Sequence, residues 1–370
     1  MLSAVALAGN AVFCLANADT AVAPSANQVP ASTVPGNEIP TVNPFFMLSG
    51  ALLKDSFDEA QLDTNLWSRP AWLVENHKTI GVKIENGHLV ISGSSRPVGG
   101  SHQYAGVISK YFRDTDVVLA AEMQVQSPFD FEGRIQHMVH LCSGDYPDFF
   151  TEIIFGKIAP ADAPRWHSAY VARIWEYSGH GTYLQPVHPA TEAETANWHT
   201  VVLTHDGATS KTQNYLVADG KWIAIGPSHT VQFNHTHIEL KVDVNVANVP
   251  VAMAVDNVRL YPNPAHNPAT IIVYTGVSGG KPKTPIHNQK IQIFEEGSKR
   301  LLGEALTDEG GEGRVLLRTD VLYPVAATII VSDGADGTAP IVQGRIPRKG
   351  VDGLYPGDVW ALDLRHKRVQ

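Results

Sequence analysis

The sequence predicts an all-β protein built as two sandwiches, and three observations carry that prediction. Short runs with period-two alternation of apolar and polar residues recur from Leu52 to residue 262. No stretch of comparable length repeats its apolar residues at helical spacing. A proline-rich joint, "YPNPAHNPA" at 261–269, then interrupts the pattern before a second series of strand-like runs begins.

From the N-terminus, residues 1–18 read as a signal peptide. They are apolar and rich in small side chains, and Ala16-Asn17-Ala18 has the small-x-small form of a cleavage site. Secretion, to the extracellular space or the cell surface, is therefore expected. Residues 19–46 are rich in Pro, Ser, Ala and Asn without periodicity, as in an exposed linker. At 370 residues the chain has room for two folded units, and a hydrophobic content of 44% against 18% charged residues supplies a sizeable core. The net charge of -9 and the absence of a Lys/Arg cluster argue against a nucleic-acid partner. Asn10 and Asn17 interrupt the leader too early for a membrane span. Once the leader is removed, Cys142 is the sole cysteine, so no internal disulfide can form and the fold must rest on its core. On a strand, such a cysteine reads as a small buried hydrophobe.

Residues 47–262 form the first predicted sandwich. In "VVLAAEMQV", Val117, Leu119, Ala121, Met123 and Val125 fall on one side, and Glu122 and Gln124 on the other. In "IELKVDVNV", Ile238, Leu240, Val242, Val244 and Val246 share one face, and Glu239, Lys241, Asp243 and Asn245 share the opposite one, as in an antiparallel strand with one wet side. Residues 263–370 form the second, where "TIIVYTGV", "KIQIFEE", "RVLLRT", "AATIIVSDG" and "DVWALDL" are five strand candidates separated by Gly- and Asp-rich turns. That strand density suits a small Ig-like sandwich.

Specific residues carry a family resemblance. Asp55 and Phe57, Leu62, Asp63 and Trp67, the turn-strand Asn86-Gly87-His88-Leu89 and the run Val255 to Leu260 resemble the recurrent packing motifs of the concanavalin A-like lectin/glucanase jelly roll found in secreted bacterial proteins. Thr307, Asp308 and Gly311 resemble the "T-D-x-x-G" turn of transthyretin-like, carboxypeptidase-regulatory accessory sandwiches. The first resemblance implies a sheet face that presents alternate side chains to a glycan. It also implies a structural calcium ion near the joined first and last strands, for which Asp55, Asp58 and Asp256 offer hard oxygen donors. The second implies a spacer or interaction module.

Strand parity then selects the candidate site. In "GRIQHMVHLC", Ile135, Val139 and Leu141 point to the core and take His137 with them as a buried, hydrogen-bonded histidine. Arg134, Gln136, Met138 and His140 point the other way. In "DFFTEIIFGK", Phe149, Thr151, Ile153 and Phe155 face inward, leaving Phe150, Glu152 and Ile154 outside. In "SAYVARIWEYSGHGTY", Arg173, Trp175 and Tyr177 take the outer face, with His180 and Tyr183 in the turn beyond. Rings beside planar polar groups suit sugars, whose C–H faces stack while their hydroxyls need donors and acceptors. The expected ligand-contact set is Arg134, Gln136, Arg173, Trp175, Tyr177, His180 and Tyr183, and Glu152 with His140 is the expected acid–base pair if the glycan is cleaved. The Glu-x-Asp-x-x-Glu run of laminarinase-type members of the fold is absent.

The function expected from these features is that of a secreted protein binding, and in one version processing, a polysaccharide. The alternatives are a glycoside hydrolase or polysaccharide lyase on the same face, and a structural or adhesive surface protein in which the proline-rich segment acts as tether or exchanged strand, with self-association.

Overall fold

The computed structural model describes residues 46–74, 79–98, 102–127, 133–143, 149–158, 167–176, 180–219, 221–276, 285–298, 300–318, 323–334, 340–346 and 353–364. The expected signal peptide and Tyr177 lie outside these residues. The chain is all-β, with two one-turn helices among the described residues, α1 (Ala71–Val74) and α2 (Glu192–Thr195). No helix among the described residues is long and apolar enough to cross a membrane.

In chain order, β1 (Phe46–Leu48) is followed by β2 (Leu53–Asp55), β3 (Trp67–Ser68), β4 (Ile80–Glu85), β5 (His88–Ser94), β6 (Gln103–Ser109) and β7 (Val117–Val125). Next come β8 (Ile135–Ser143), β9 (Phe149–Ile158), β10 (His167–Glu176), β11 (His180–Pro189), β12 (His199–Asp206), β13 (Lys211–Ala218), β14 (Lys221–Thr230), β15 (His237–Val244) and β16 (Pro250–Pro262). Beyond the proline-rich joint lie β17 (Thr270–Tyr274), β18 (Lys290–Glu295), β19 (Leu301–Leu306), β20 (Glu312–Leu316), β21 (Ala327–Ser332), β22 (Pro340–Ile346) and β23 (Val359–Asp363).

The first sandwich pairs a seven-stranded sheet, β11-β10-β9-β8-β15-β6-β3, with a second sheet ordered β14-β13-β12-β7-β16-β5-β4, to which β2 adds through β16. One core cluster joins them: Leu119, Met123 and Leu203 from one sheet meet Val139, Ile153 and Leu240 from the other. The predicted parity holds on β7 and β15, where all the inward-facing residues from Val117 to Val125 and from Ile238 to Val244 enter this core. His137 is inside as expected, with Ser127 Oγ at 2.8 Å from Nε2 and the Phe155 carbonyl at 3.0 Å from Nδ1. Thr151 and Asn214 link the two sheets through a buried side-chain hydrogen bond of 3.0 Å.

The residues quoted for the jelly-roll resemblance have identifiable work. Trp67 Nε1 donates to Asp55 Oδ2 at 2.7 Å, tying β3 to β2. Asn86 and Gly87 both take positive φ, 53° and 76°, and turn β4 into β5 as an Asn-Gly pair does in a type I′ hairpin. The Val255 to Leu260 run carries a register shift between Asp256 and Arg259 on β16.

The second sandwich consists of two four-stranded sheets, β1-β23-β17-β20 and β19-β18-β21-β22. All five predicted strand runs are found in it. Its core of Ile271, Ile291, Val315, Ile329 and Trp360 runs on into Val118, Ala120, Val202 and Tyr261, so it covers part of the outer face of the β7-containing sheet. The expectation of a linker through residue 46 and a first sandwich from 47 is corrected here. Phe46–Leu48 pairs antiparallel with Val359–Ala361 and so belongs to the second sandwich's sheet. A three-residue strand whose partner lies so far along the chain leaves no local pattern to read.

Candidate functional site

The outer face of the seven-stranded sheet carries most of the groups that sequence parity nominated. Cross-strand register places them in rows, since residues directly opposite on antiparallel strands share a face. One row runs Glu239, His140, Glu152, Arg173 and Tyr183 across β15, β8, β9, β10 and β11. A second row, four residues along β15 and hence about 13 Å away, runs Tyr104, Asp243 and Gln136 across β6, β15 and β8. Trp175 lies opposite Phe150, and His180 opposite Glu176.

Across β15, β8 and β9 the first row is a buried charge network. His140 and Glu152 are fully buried and in ion-pair contact through Nε2 and Oε2. His140 Nδ1 lies 3.4 Å from Glu239 Oε2, and Lys241 Nζ donates to that same oxygen at 2.5 Å. His237 Nε2 stands 3.6 Å from the other Glu239 oxygen, and the His140 ring stacks on Phe150 with centroids 4.8 Å apart. Burial pulls the His140 pKa below its ordinary value against the opposing pull of Glu152. Burial alone would raise Glu239, but the Lys241 ammonium and the contacts from His237 and His140 outweigh it and hold the carboxylate ionised. Burial lowers Lys241, and Glu239, Cys142 and Glu152 together more than offset that. The Cys142 thiol, buried on the same face, is pushed well up by burial and by the charge of Glu239.

The second row is buried at Asp243 and Gln136 but edged by groups that reach solvent. His102 and Tyr104 stack with centroids 5.7 Å apart and 9° between planes, and Trp72 on α1 meets Tyr104 edge-on at 6.4 Å. Asp243 accepts from His102 at 2.9 Å and from Arg134 at 3.5 Å. The His102 and Arg134 side chains are 43% and 25% exposed, so a ligand can reach them. Lys241 lies beneath this end, 5.5 Å from the Trp72 ring centre and 5.7 Å from that of Tyr104. Across from it, Gly106 packs against β15 so closely that a Cβ there would collide with the Leu240 carbonyl oxygen and the Lys241 backbone.

The structure thus brings His140 and Glu152 together, puts Arg134 at the open end, and buries Gln136 in the second row opposite Asp243. Arg173, Trp175, His180 and Tyr183 have described backbone positions on that sheet, with Arg173 opposite Glu152. One expectation is overturned. The polar side of β15 is not wet: Glu239, Lys241 and Asp243 are only 2–3% exposed. They are tolerated there because each meets an oppositely charged or ring partner. Asp55 is engaged by Trp67 and the Phe57 amide, Asp58 accepts from Ser56 Oγ, and Asp256 lies 3.3 Å from His88. None of these three belongs to the groups of metal-capable donors found among the described residues, which are His140, Cys142 and Glu239, and Asp116, Asp206 and His266.

Sequence reasoning missed Trp72, His102, Tyr104, Glu239, Lys241 and Asp243. The last three were visible as an alternating charged set on β15. The first three lie on α1 and the start of β6, where alternation is interrupted by Gly106.

No family model matches the sequence, and no curated protein matches it. Among solved structures, the chain is similar to a putative beta-glucanase from Mycobacterium abscessus, at 17% identity and a TM-score of 0.40 over 57% of this chain and 100% of that one. It is similar to a glycosyl hydrolase family 16 protein from Mycobacterium smegmatis, at 15% identity and a TM-score of 0.37 over 57% and 100%. It is also similar to a lectin from Bauhinia forficata in complex with GalNAc, at 9% identity and a TM-score of 0.38 over 56% and 97%. Likeness at this level carries no inference about activity.

Proposed function

We propose that the chain is a secreted glycan-binding protein whose ligand rests on the open end of the seven-stranded sheet. The observation that carries this reading is the set of partly exposed rings Trp72, Tyr104 and His102 beside the paired Arg134 and Asp243. A sugar needs both components together: a ring surface for its C–H face and fixed planar groups for its hydroxyls. Arg134 already spends one contact on Asp243, so its fork is oriented before ligand arrives, which lowers the ordering cost of binding. An acidic polymer such as a uronan gains additionally from Arg134, whereas a neutral glucan relies on the rings.

The test is binding to a panel of purified neutral and uronate polysaccharides, by array or affinity gel. Trp72→Ala and Arg134→Ala are each expected to weaken binding about tenfold, or about 1.4 kcal/mol. Full retention in both variants would overturn the assignment to this end of the face. Loss in Arg173→Ala or Trp175→Ala alone would move it towards β10 and β11.

A second reading, in which the bound glycan is also cleaved and the His140–Glu152 pair transfers the proton, requires the ligand to open the sealed end of the face, where both side chains are buried. Release of reducing or unsaturated ends, abolished in Glu152→Gln and in His140→Ala, is its signature. Binding without release of ends keeps the protein a binding module.

A further inference from the structure

We propose that His140, Cys142 and Glu239 form a binding site for a soft divalent cation of the zinc class at the buried end of the sheet face. The backbone alone brings these donors together. His140 and Cys142 are two residues apart on β8 and so share a face, and Glu239 stands directly across from His140 on β15. One ligand atom from each residue lies within 4.8 Å of the others, and the three residues are 0–4% exposed.

A second observation points to a ligand in the same place. His237 faces Cys142 across the ladder and borders Glu239 at 3.6 Å. It is 3% exposed, and its Nδ1 is buried without a hydrogen-bond partner among the described residues. An orphaned buried imidazole nitrogen on a residue bordering Glu239 is a polar group the protein leaves unmatched beside these donors, although His237 stands outside the group of three.

Donor chemistry selects the class. Sulfur and nitrogen suit zinc and its neighbours, whereas calcium wants six to eight oxygens and magnesium keeps its waters. Lys241 holds one oxygen of Glu239, which leaves the other for an ion. In the binding step the Cys142 S–H bond breaks, its proton leaves to solvent, and the sulfur lone pair forms the bond to the metal. Nothing is oxidised or reduced. An ion here makes His140 a ligand, so the site competes with the cleavage reading, and it shares no residue with the proposed glycan contacts.

The test is a cobalt(II) titration of the full chain after chelator treatment. One equivalent of cobalt is expected to give a thiolate-to-cobalt charge-transfer band in the near ultraviolet, erased by added zinc. Cys142→Ser is expected to lose the band, and His140→Ala to weaken cobalt binding at least about tenfold. Asp116→Asn, in the other donor group, is expected to keep both unchanged. Far-UV circular dichroism establishes that each variant is folded. A wild-type chain with no such band at one equivalent overturns the proposal, and this result needs no variant. A band that persists in folded Cys142→Ser overturns it equally.

Discussion

The two ends of one sheet face make an instructive pair. Both are built on β15, from residues of the same parity, and both combine a carboxylate with cations and rings. At one end Asp243 is held by His102 and Arg134, whose side chains reach solvent. At the other, Glu239, His140, Glu152 and Lys241 are sealed at 0–3% exposure. Identical alternation has produced a surface suited to recognition and an interior network in which every charge depends on its partner. The difference is dielectric rather than composition: the same pairing is worth little in water and is strongly coupled when dry.

The sharpest way to break this contrast is to remove one buried charge. Lys241→Met leaves Glu239 without its ammonium partner and is expected to destabilise the fold by about 3–5 kcal/mol, read from denaturant midpoints. Pairing it with Glu239→Leu is expected to recover most of that loss, because the cost lies in an orphaned charge and not in a missing bond. A Lys241→Met variant as stable as wild type would mean that water reaches this end.

Acid provides the next largest effect. Burial lowers the His137 pKa from 6.5 to about 4, against the opposing pull of its hydrogen bond to the Phe155 carbonyl. The unfolded chain therefore takes up a proton near 6.5 that the folded chain refuses until about 4. The contribution is intact above pH 6.5 and drains away between 6.5 and 4, up to about 3 kcal/mol. Unfolding followed across that window is expected to show a shallower loss in His137→Asn than in wild type; equal slopes would mean that His137 takes up its proton alike in the folded and unfolded chain. The smallest stability effect belongs to the open end. Arg134→Ala is expected to shift stability by about 1 kcal/mol or less while weakening glycan binding, and a larger loss of stability would assign this group to the scaffold.

Much of the architecture was legible because a two-residue period reports directly on facing. Ile135, Val139 and Leu141 had to share a side, and His137 had to accompany them. The same logic brought His140 and Glu152 onto one surface before any coordinates, and the register of β8 with β9 places them opposite each other. Alternation does not, however, say what lies above a polar row. That is why Glu239 and Lys241 read as solvent-facing, when rings and opposite charges enclose them. Trp72 escaped notice because it sits on a single helical turn that has no periodicity to detect. The short β1 was invisible for a different reason, since its partner β23 closes a loop of more than three hundred residues.

That closure changes what the proline-rich joint divides. Because Phe46–Leu48 completes the sheet containing β23, the larger sandwich is threaded into the smaller one as an insert, with the host's strands on both sides of it. Cutting the chain at residue 263 would not release two finished modules. The trailing piece would display the bare rim of β23, a template that a strand from a neighbouring molecule can occupy.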